Sequence, residues 1–205
     1  ERYFQYRNIP YLFDFDDPIF HYYDLSPHRA VRVVLGDKIR QVAAGAAHVF
    51  AGSPYLVDYV RPVNASVEYL PTVVDLDRYS RTRDFGVGAS RGRFTIGWMG
   101  SPSTATYLKG IAPALAAFCA RHDARVVAVG SGTLELEGVP LEVRDWSEKR
   151  ELADLLEFDV GLMPLTDDPW SRGKCGFKRL EHLLLRNAAI IANLFDGRCN
   201  RIIHI

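Results

Sequence analysis

The chain has 205 residues, 48% hydrophobic and 24% charged, the balance of an ordinary globular protein, which excludes disorder, collagen-like structure and a disulfide scaffold. With 25 basic and 25 acidic residues the net charge is zero, so a general attraction to nucleic acid is excluded and any anion site must be built locally. Cys119, Cys175 and Cys199 lie far apart without a Cys-x-x-Cys, so a reducing compartment is expected and structural zinc is not.

No apolar run reaches the roughly 18 residues that a membrane span needs. The opening Glu-Arg-Tyr-Phe-Gln-Tyr-Arg has neither a start methionine nor a signal-peptide pattern, and it reads as the interior of a longer sequence. Ile9 to Phe15 is a short apolar run ending in acids, a buried strand with a polar loop at its carboxyl end. Ser26-Pro27 reads as an N-cap with proline at N1 and predicts a helix to about Ala44, stopped by Gly45. Ala47 to Ala51 predicts a strand, Ser53-Pro54 a short helix through Val60, and Ser66 to Leu70 a third strand closed by Pro71.

Residues 77 to 93 are rich in arginine and glycine with little apolar periodicity, and suit an interdomain linker. The alternation then restarts. Strands are expected at Phe94–Met99, Arg125–Val129, Leu141–Arg144, Asp159–Met163 and Ala188–Ala192. Helices are expected from Thr104 to about His122, from Ser147 to Glu157, and over Cys175–Leu185. Two rounds of alternating strands and helices predict α/β architecture with parallel sheets.

Four motifs stand out. Gly97-Trp98-Met99-Gly100-Ser101-Pro102-Ser103-Thr104 joins a strand to a helix; small residues there let a phosphate approach the helix N-terminus, or form an ordinary capped turn. It is neither a Gly-x-Gly-x-x-Gly nor a P-loop. Gly130-Ser131-Gly132 ends the next strand on the same sheet edge, where ligands of open α/β sheets bind. Asp167 to Lys178 places Arg172, Lys174 and Lys178 around a helix start, where cations are unfavourable unless an anion neutralises them; the duller reading is a solvated basic turn. Asp14-Phe15-Asp16-Asp17 invites a metal reading, but a hydroxyl-orienting or capping carboxylate fits better. His21, His28, His48 and His122 carry no spacing signature, and Cys175 has no identifiable base partner.

Three stretches carry a resemblance. Leu70-Pro71-Thr72-Val73-Val74-Asp75-Leu76-Asp77-Arg78-Tyr79, Ile96 to Thr104, and Phe158 to Leu165 together with Trp170 to Lys178 resemble the glycogen-synthase-like glycosyltransferases, family 4, which have two Rossmann-like domains in a GT-B fold. The departures are specific. Trp98 stands where the family usually has Arg, and Lys109-Gly110 follows at longer spacing than the family's Lys-Gly. Gly173 stands where the first of two glutamates would be, and Arg186-Asn187-Ala188 replaces a Gly-Leu-Pro turn. Complete members are longer, so a fragment or a degenerate relative is expected. Residues 1–79 would be a partial acceptor-side domain, 80–93 a linker, and 94–205 a partial donor-binding domain, hinged with the ligand in the cleft.

The resemblance implies metal-independent, retaining transfer of a sugar from a nucleoside-diphosphate-sugar donor to a glycan, lipid or small-molecule hydroxyl, with no other cofactor. Charge grows on the departing diphosphate, and cations with backbone N–H groups stabilise it. Arg172, Lys174 and Lys178 are the candidates, with Gly100, Ser101, Ser103, Thr104, Gly130 and Ser131 around the diphosphate. Asp145 and Trp146 would hold the base, Glu181 the ribose, and Asp14 and Asp16 the acceptor side, Asp16 as a catalytic group. The expected setting is cytoplasmic, with room for peripheral contact at the inner membrane face and no nucleic-acid partner; the oligomeric state stays open. Two other readings remain: a nucleotide-sugar epimerase or similar enzyme, disfavoured by the absent glycine fingerprint and Tyr-x-x-x-Lys, and a non-catalytic nucleotide-binding remnant.

Overall fold

The computed structural model describes residues 2–73, 92–174, 188–195 and 198–203. The chain divides into two compact units: Glu1–Val73 with Asp168–Cys175, and Val74–Asp167 with Gly176–Ile205. Each carries its own sheet, and the architecture is α/β with parallel strands and a Rossmann-like pattern. The expected linker 80–93 lies, apart from Gly92 and Arg93, outside the described residues.

In the first unit, helix α1 (Arg2–Tyr6) precedes strand β1 (Leu12–Phe15). Three helices follow, α2 (His21–Asp24), α3 (Arg29–Leu35) and α4 (Lys38–Gly45), then β2 (His48–Ala51), α5 (Pro54–Val60) and β3 (Val67–Tyr69). The strands pair in parallel in the order β1-β2-β3, with Phe15 opposite Ala51 and Val49 opposite Val67. Alternation along a strand turns Phe13, Phe15, Val49 and Ala51 to one face. That face packs with Ile39 and Ala43 of α4 and Leu56, Val57 and Val60 of α5.

The helix expected from Pro27 to Ala44 is broken at Gly36-Asp37, and its start moves to Arg29. The Ser26 hydroxyl accepts from the His28 N–H in a local turn instead of capping a helix. Ser53 does act as the expected cap, accepting from the Leu56 N–H with Pro54 at N1.

In the second unit, β4 (Phe94–Met99), α6 (Thr106–Arg121), β5 (Ala124–Val129), β6 (Leu141–Arg144), α7 (Glu148–Leu156), β7 (Val160–Leu162) and β8 (Leu165–Thr166) follow in order. Helix α8 (Pro169–Gly173) belongs to the first unit, and β9 (Ala188–Phe195) and β10 (Arg198–Ile203) complete the second. The last expected strand is therefore longer than Ala188–Ala192, and an antiparallel strand follows it. The helix expected over Cys175–Leu185 lies outside the described residues.

The sheet order is β10-β9-β7-β4-β5-β6, with β8 beside β9. From β6 through β9 all neighbours are parallel. Ile96, Trp98, Val126 and Ala128 face Leu108, Ile111 and Leu115 of α6, while Met99, Val127 and Val129 face Leu155 of α7 and Phe158. Helices thus cover both faces, as buried parallel strands require. Gly97 leaves room for the Phe158 ring, which a Cβ at that position would strike.

A charge network ties β5, β6 and α7 together. Arg144 donates to Glu142 (2.6 Å), Asp154 (2.9 Å) and Glu157 (2.6 Å), and Arg125 bridges Glu142 and Glu157. Asp154 is 1% exposed, and Arg144, at 2.9 Å, is the nearer of its two cationic partners. Replacing Arg144 by Ala should cost about 3 kcal/mol in urea unfolding, because a buried carboxylate loses its main partner. Hydrogen bonds from Arg144 hold the Glu157 carboxyl below its ordinary 4.5. That stabilisation is present above pH 4.5 and is lost as pH falls through the lowered folded value, so Arg144→Ala should flatten the acid limb of the stability profile.

Candidate functional site

Along the parallel part of the second unit's sheet the strands lie in the order β6-β5-β4-β7-β9, with β8 off this path beside β9. The direction of chain progression reverses between β4 and β7, and in open α/β sheets a ligand binds outside the carboxyl ends of the strands at such a switch point. The Gly100–Thr104 turn leaves β4 at this place. The next two turns lie beside it, because the ladder continues past the strand ends. The Gly100 N–H donates to the Val129 carbonyl (3.0 Å), and the Gly130 N–H to the Arg144 carbonyl (2.8 Å). Gly100, Gly130 and Trp146 therefore share one rim.

Close approach is enforced there. Gly130 has φ +76°, and a Cβ on it would run into the Gly100 carbonyl oxygen and lie 3.2 Å from Trp146 Cβ. Trp146 is half exposed and Asp145 exposed, while Ser131 is buried, its hydroxyl donating to the Gly132 carbonyl. Trp98 is buried beneath the turn, its ring where a Cβ on Gly100 would lie.

The hydroxyls of the β4 turn are engaged with one another. The Ser101 N–H donates to Thr104 Oγ1 (3.1 Å), Thr104 Oγ1 donates to the Ser101 carbonyl (3.0 Å), and the Ser101 and Ser103 hydroxyls are 2.9 Å apart. The Thr104 side chain thus closes the turn on the Ser101 backbone, and the helix after it begins at Thr106 without a side-chain cap. Ser101 and Ser103 are nonetheless exposed at the surface of the turn.

Arg172 and Lys174 fold with the first unit, not with residues 94–167, with which the sequence reading grouped them. Asp168 caps α8 by accepting from the Ser171 N–H (2.7 Å), with Pro169 at N1. Arg172 lies inside this helix, in its last turn, where a cation suits the helix dipole. Lys174 follows the helix in extended conformation, so α8 does not carry it onto a shared helical face with Lys178. Lys178 and Glu181 lie outside the described residues.

Lys174 Nζ is 3.9 Å from an Asp17 carboxylate oxygen and 5.7 Å from the Trp170 ring centroid. Tyr22 packs on Trp170 at 4.5 Å, and the Ser53 hydroxyl donates to the Gly173 carbonyl (3.1 Å). Burial raises the Asp17 carboxyl, against the pull of the Lys174 charge. The partner found here is thus Asp17; Asp14 and Asp16 are exposed, and Asp16 lies beyond the end of β1.

The sequence reading missed a hydrogen-bonded chain in the first unit. His21 Nδ1 is 2.9 Å from Asp24 Oδ1, and His21 Nε2 is 2.9 Å from the Tyr55 hydroxyl. The i, i+3 spacing of His21 and Asp24 was visible, but Tyr55 is 34 residues away. Burial and the Asp24 charge raise the Tyr55 phenol, while the Arg172 charge lowers it.

A scan of the chain against protein-family models finds no match, and no curated protein matches it. Among the described residues no helix is long and apolar enough to cross a membrane.

The rim depends on the missing Cβ at residue 130. Gly130→Ala should lower stability by about 2 kcal/mol or more, through positive φ and collision with Gly100. Thermal unfolding checks this, with Gly138→Ala, also at positive φ but only 3.4 Å from Ala116 Cβ, expected to be milder.

Proposed function

We propose that the chain is a glycosyltransferase of GT-B type that moves a sugar from a nucleoside-diphosphate-sugar to a hydroxyl acceptor. The observation that carries this reading is the strand order of the second unit, which sets the Gly100–Thr104 turn at the switch point with Gly130 and Trp146 on the same rim. In such a sheet a small-residue turn leading into a helix admits a diphosphate to its N–H groups.

Trp146, half exposed beside Gly130, offers a stacking surface for the base, and Ser101, Ser103 and Thr104 offer hydroxyls to phosphate oxygens. Their mutual bonds would be exchanged for bonds to the ligand. Arg172, Lys174 and Lys178 are the cations that the resemblance offers for the diphosphate, and Glu181 the group it offers for the ribose. Lys174 would have to exchange its contact with Asp17 for the diphosphate. Asp14 and Asp16 remain the exposed acids proposed for the acceptor.

Titration with uridine and guanosine diphosphates, followed by calorimetry, tests the assignment. Arg172→Ala should weaken every nucleoside diphosphate by about 1.5–3 kcal/mol, the worth of a charge-assisted hydrogen bond, and leave base preference unchanged. Trp146→Ala should change base preference. Release of nucleoside diphosphate from a sugar donor supports the transferase, whereas binding without turnover supports a non-catalytic nucleotide-binding protein. No binding of any nucleoside diphosphate would overturn both readings.

A further inference from the structure

The first unit holds a cavity of about 280 Å³ that the proposed transfer does not use, lined by Asp24, Arg32, Gly36, Asp37, Arg40 and Tyr59. Two acids and two arginines surround it. Opposite charges brought this close usually pair, yet among the described residues none of these four forms an ion pair with another across the opening.

Three of the four are held by groups other than the opposite charges of the pocket. Asp24 Oδ1 lies 2.9 Å from His21 Nδ1, and His21 Nε2 in turn lies 2.9 Å from the Tyr55 hydroxyl. Arg32 Nη1 donates to the Ser26 and Pro27 carbonyls, which orient the guanidinium without neutralising it. Arg40 lies 5.9 Å from the Tyr59 ring centroid, and that ring is stacked on buried Phe20 at 3.7 Å and 3°. The Tyr59 phenol, pushed up to about 12 mainly by burial, keeps its proton at neutral pH and can donate.

A purely anionic ligand would face two carboxylates, and a purely cationic one two guanidiniums. Charges of both signs on one pocket, three of them held by neighbouring groups, complement a molecule that carries both. We propose that this cavity binds a small zwitterion, its carboxylate or phosphate meeting Arg32 and Arg40 and its ammonium meeting Asp24 and Asp37. The volume sits at the small end of ligand pockets, which suits an α-amino acid or an aminoalkyl phosphate. The inference does not rest on glycosyl transfer.

Calorimetric titration of the full chain with L-serine and with phosphoethanolamine tests it, with acetate, inorganic phosphate and ethylammonium as probes of single sign. At least one zwitterion should bind saturably, about tenfold or more tighter than any single-sign probe; the tighter of the two identifies the anionic pole as carboxylate or phosphate. Arg40→Gln and Asp24→Asn should each weaken it about tenfold. Because Asp24→Asn also disturbs His21, Asp37→Asn supplies a second acid whose removal leaves that chain intact. No saturation up to about 10 mM, binding of inorganic phosphate or acetate as tight as the zwitterion, or unchanged affinity in all three variants would overturn the proposal. A chain that binds nucleoside diphosphate but no zwitterion sinks this inference alone, and the reverse result sinks the transfer reading alone.

Discussion

A parallel strand pair cannot be closed by a tight turn, and this constraint organises the second unit. Each strand must return across a face of the sheet before its neighbour can pair, so every parallel strand arrives at the same edge with its carboxyl end. The crossover α6 covers one face and α7 the other, which is why β5 carries buried residues in both alternating positions. Loops of one polarity are then gathered on one rim by topology alone. The sequence has only to make those loops small, and Gly100 and Gly130 do so. A left-handed glycine against a carbonyl is a local cost that a rim of close backbones requires.

How much of this was legible follows from how local each signal is. Phe94–Met99 was readable to the residue, because a short apolar run between polar stretches has few alternatives once it is too short for a helix. Ser53-Pro54 worked because cap and proline act within one turn. The same pair at Ser26-Pro27 failed, since the serine hydroxyl found a nearer donor in His28. At Asp168-Pro169 the signal was present and unused; it marks a short helix that carries Arg172. The break at Gly36-Asp37 was masked by apolar residues that continue at helical spacing through it.

What could not be read was partnership across sequence. Asp17 and Lys174 are separated by most of the chain, as are Ser53 and Gly173, and nothing in their neighbourhoods names the other. The same holds for Tyr55 and His21. The assignment of 168–175 to the first unit rests on such contacts, so a division drawn from composition and chain order had no means of placing it there.

The two charged clusters show why the presence of cations alone does not mark a ligand site. Around Arg144 each guanidinium meets carboxylates, and the network closes on itself as structure. The cations at 172 and 174 looked unneutralised in sequence because the helix was expected to begin after them. In the fold, Arg172 sits at the favourable end of α8 and Lys174 has Asp17, so much of the apparent electrostatic conflict is resolved without a ligand. Around the first unit's cavity the reverse holds. Two acids and two arginines line it, and an imidazole, carbonyls and an aromatic ring hold Asp24, Arg32 and Arg40. A balanced set of charges costs least when it closes on itself, so one held open by surrounding contacts is the stronger sign of a site than any excess of one sign.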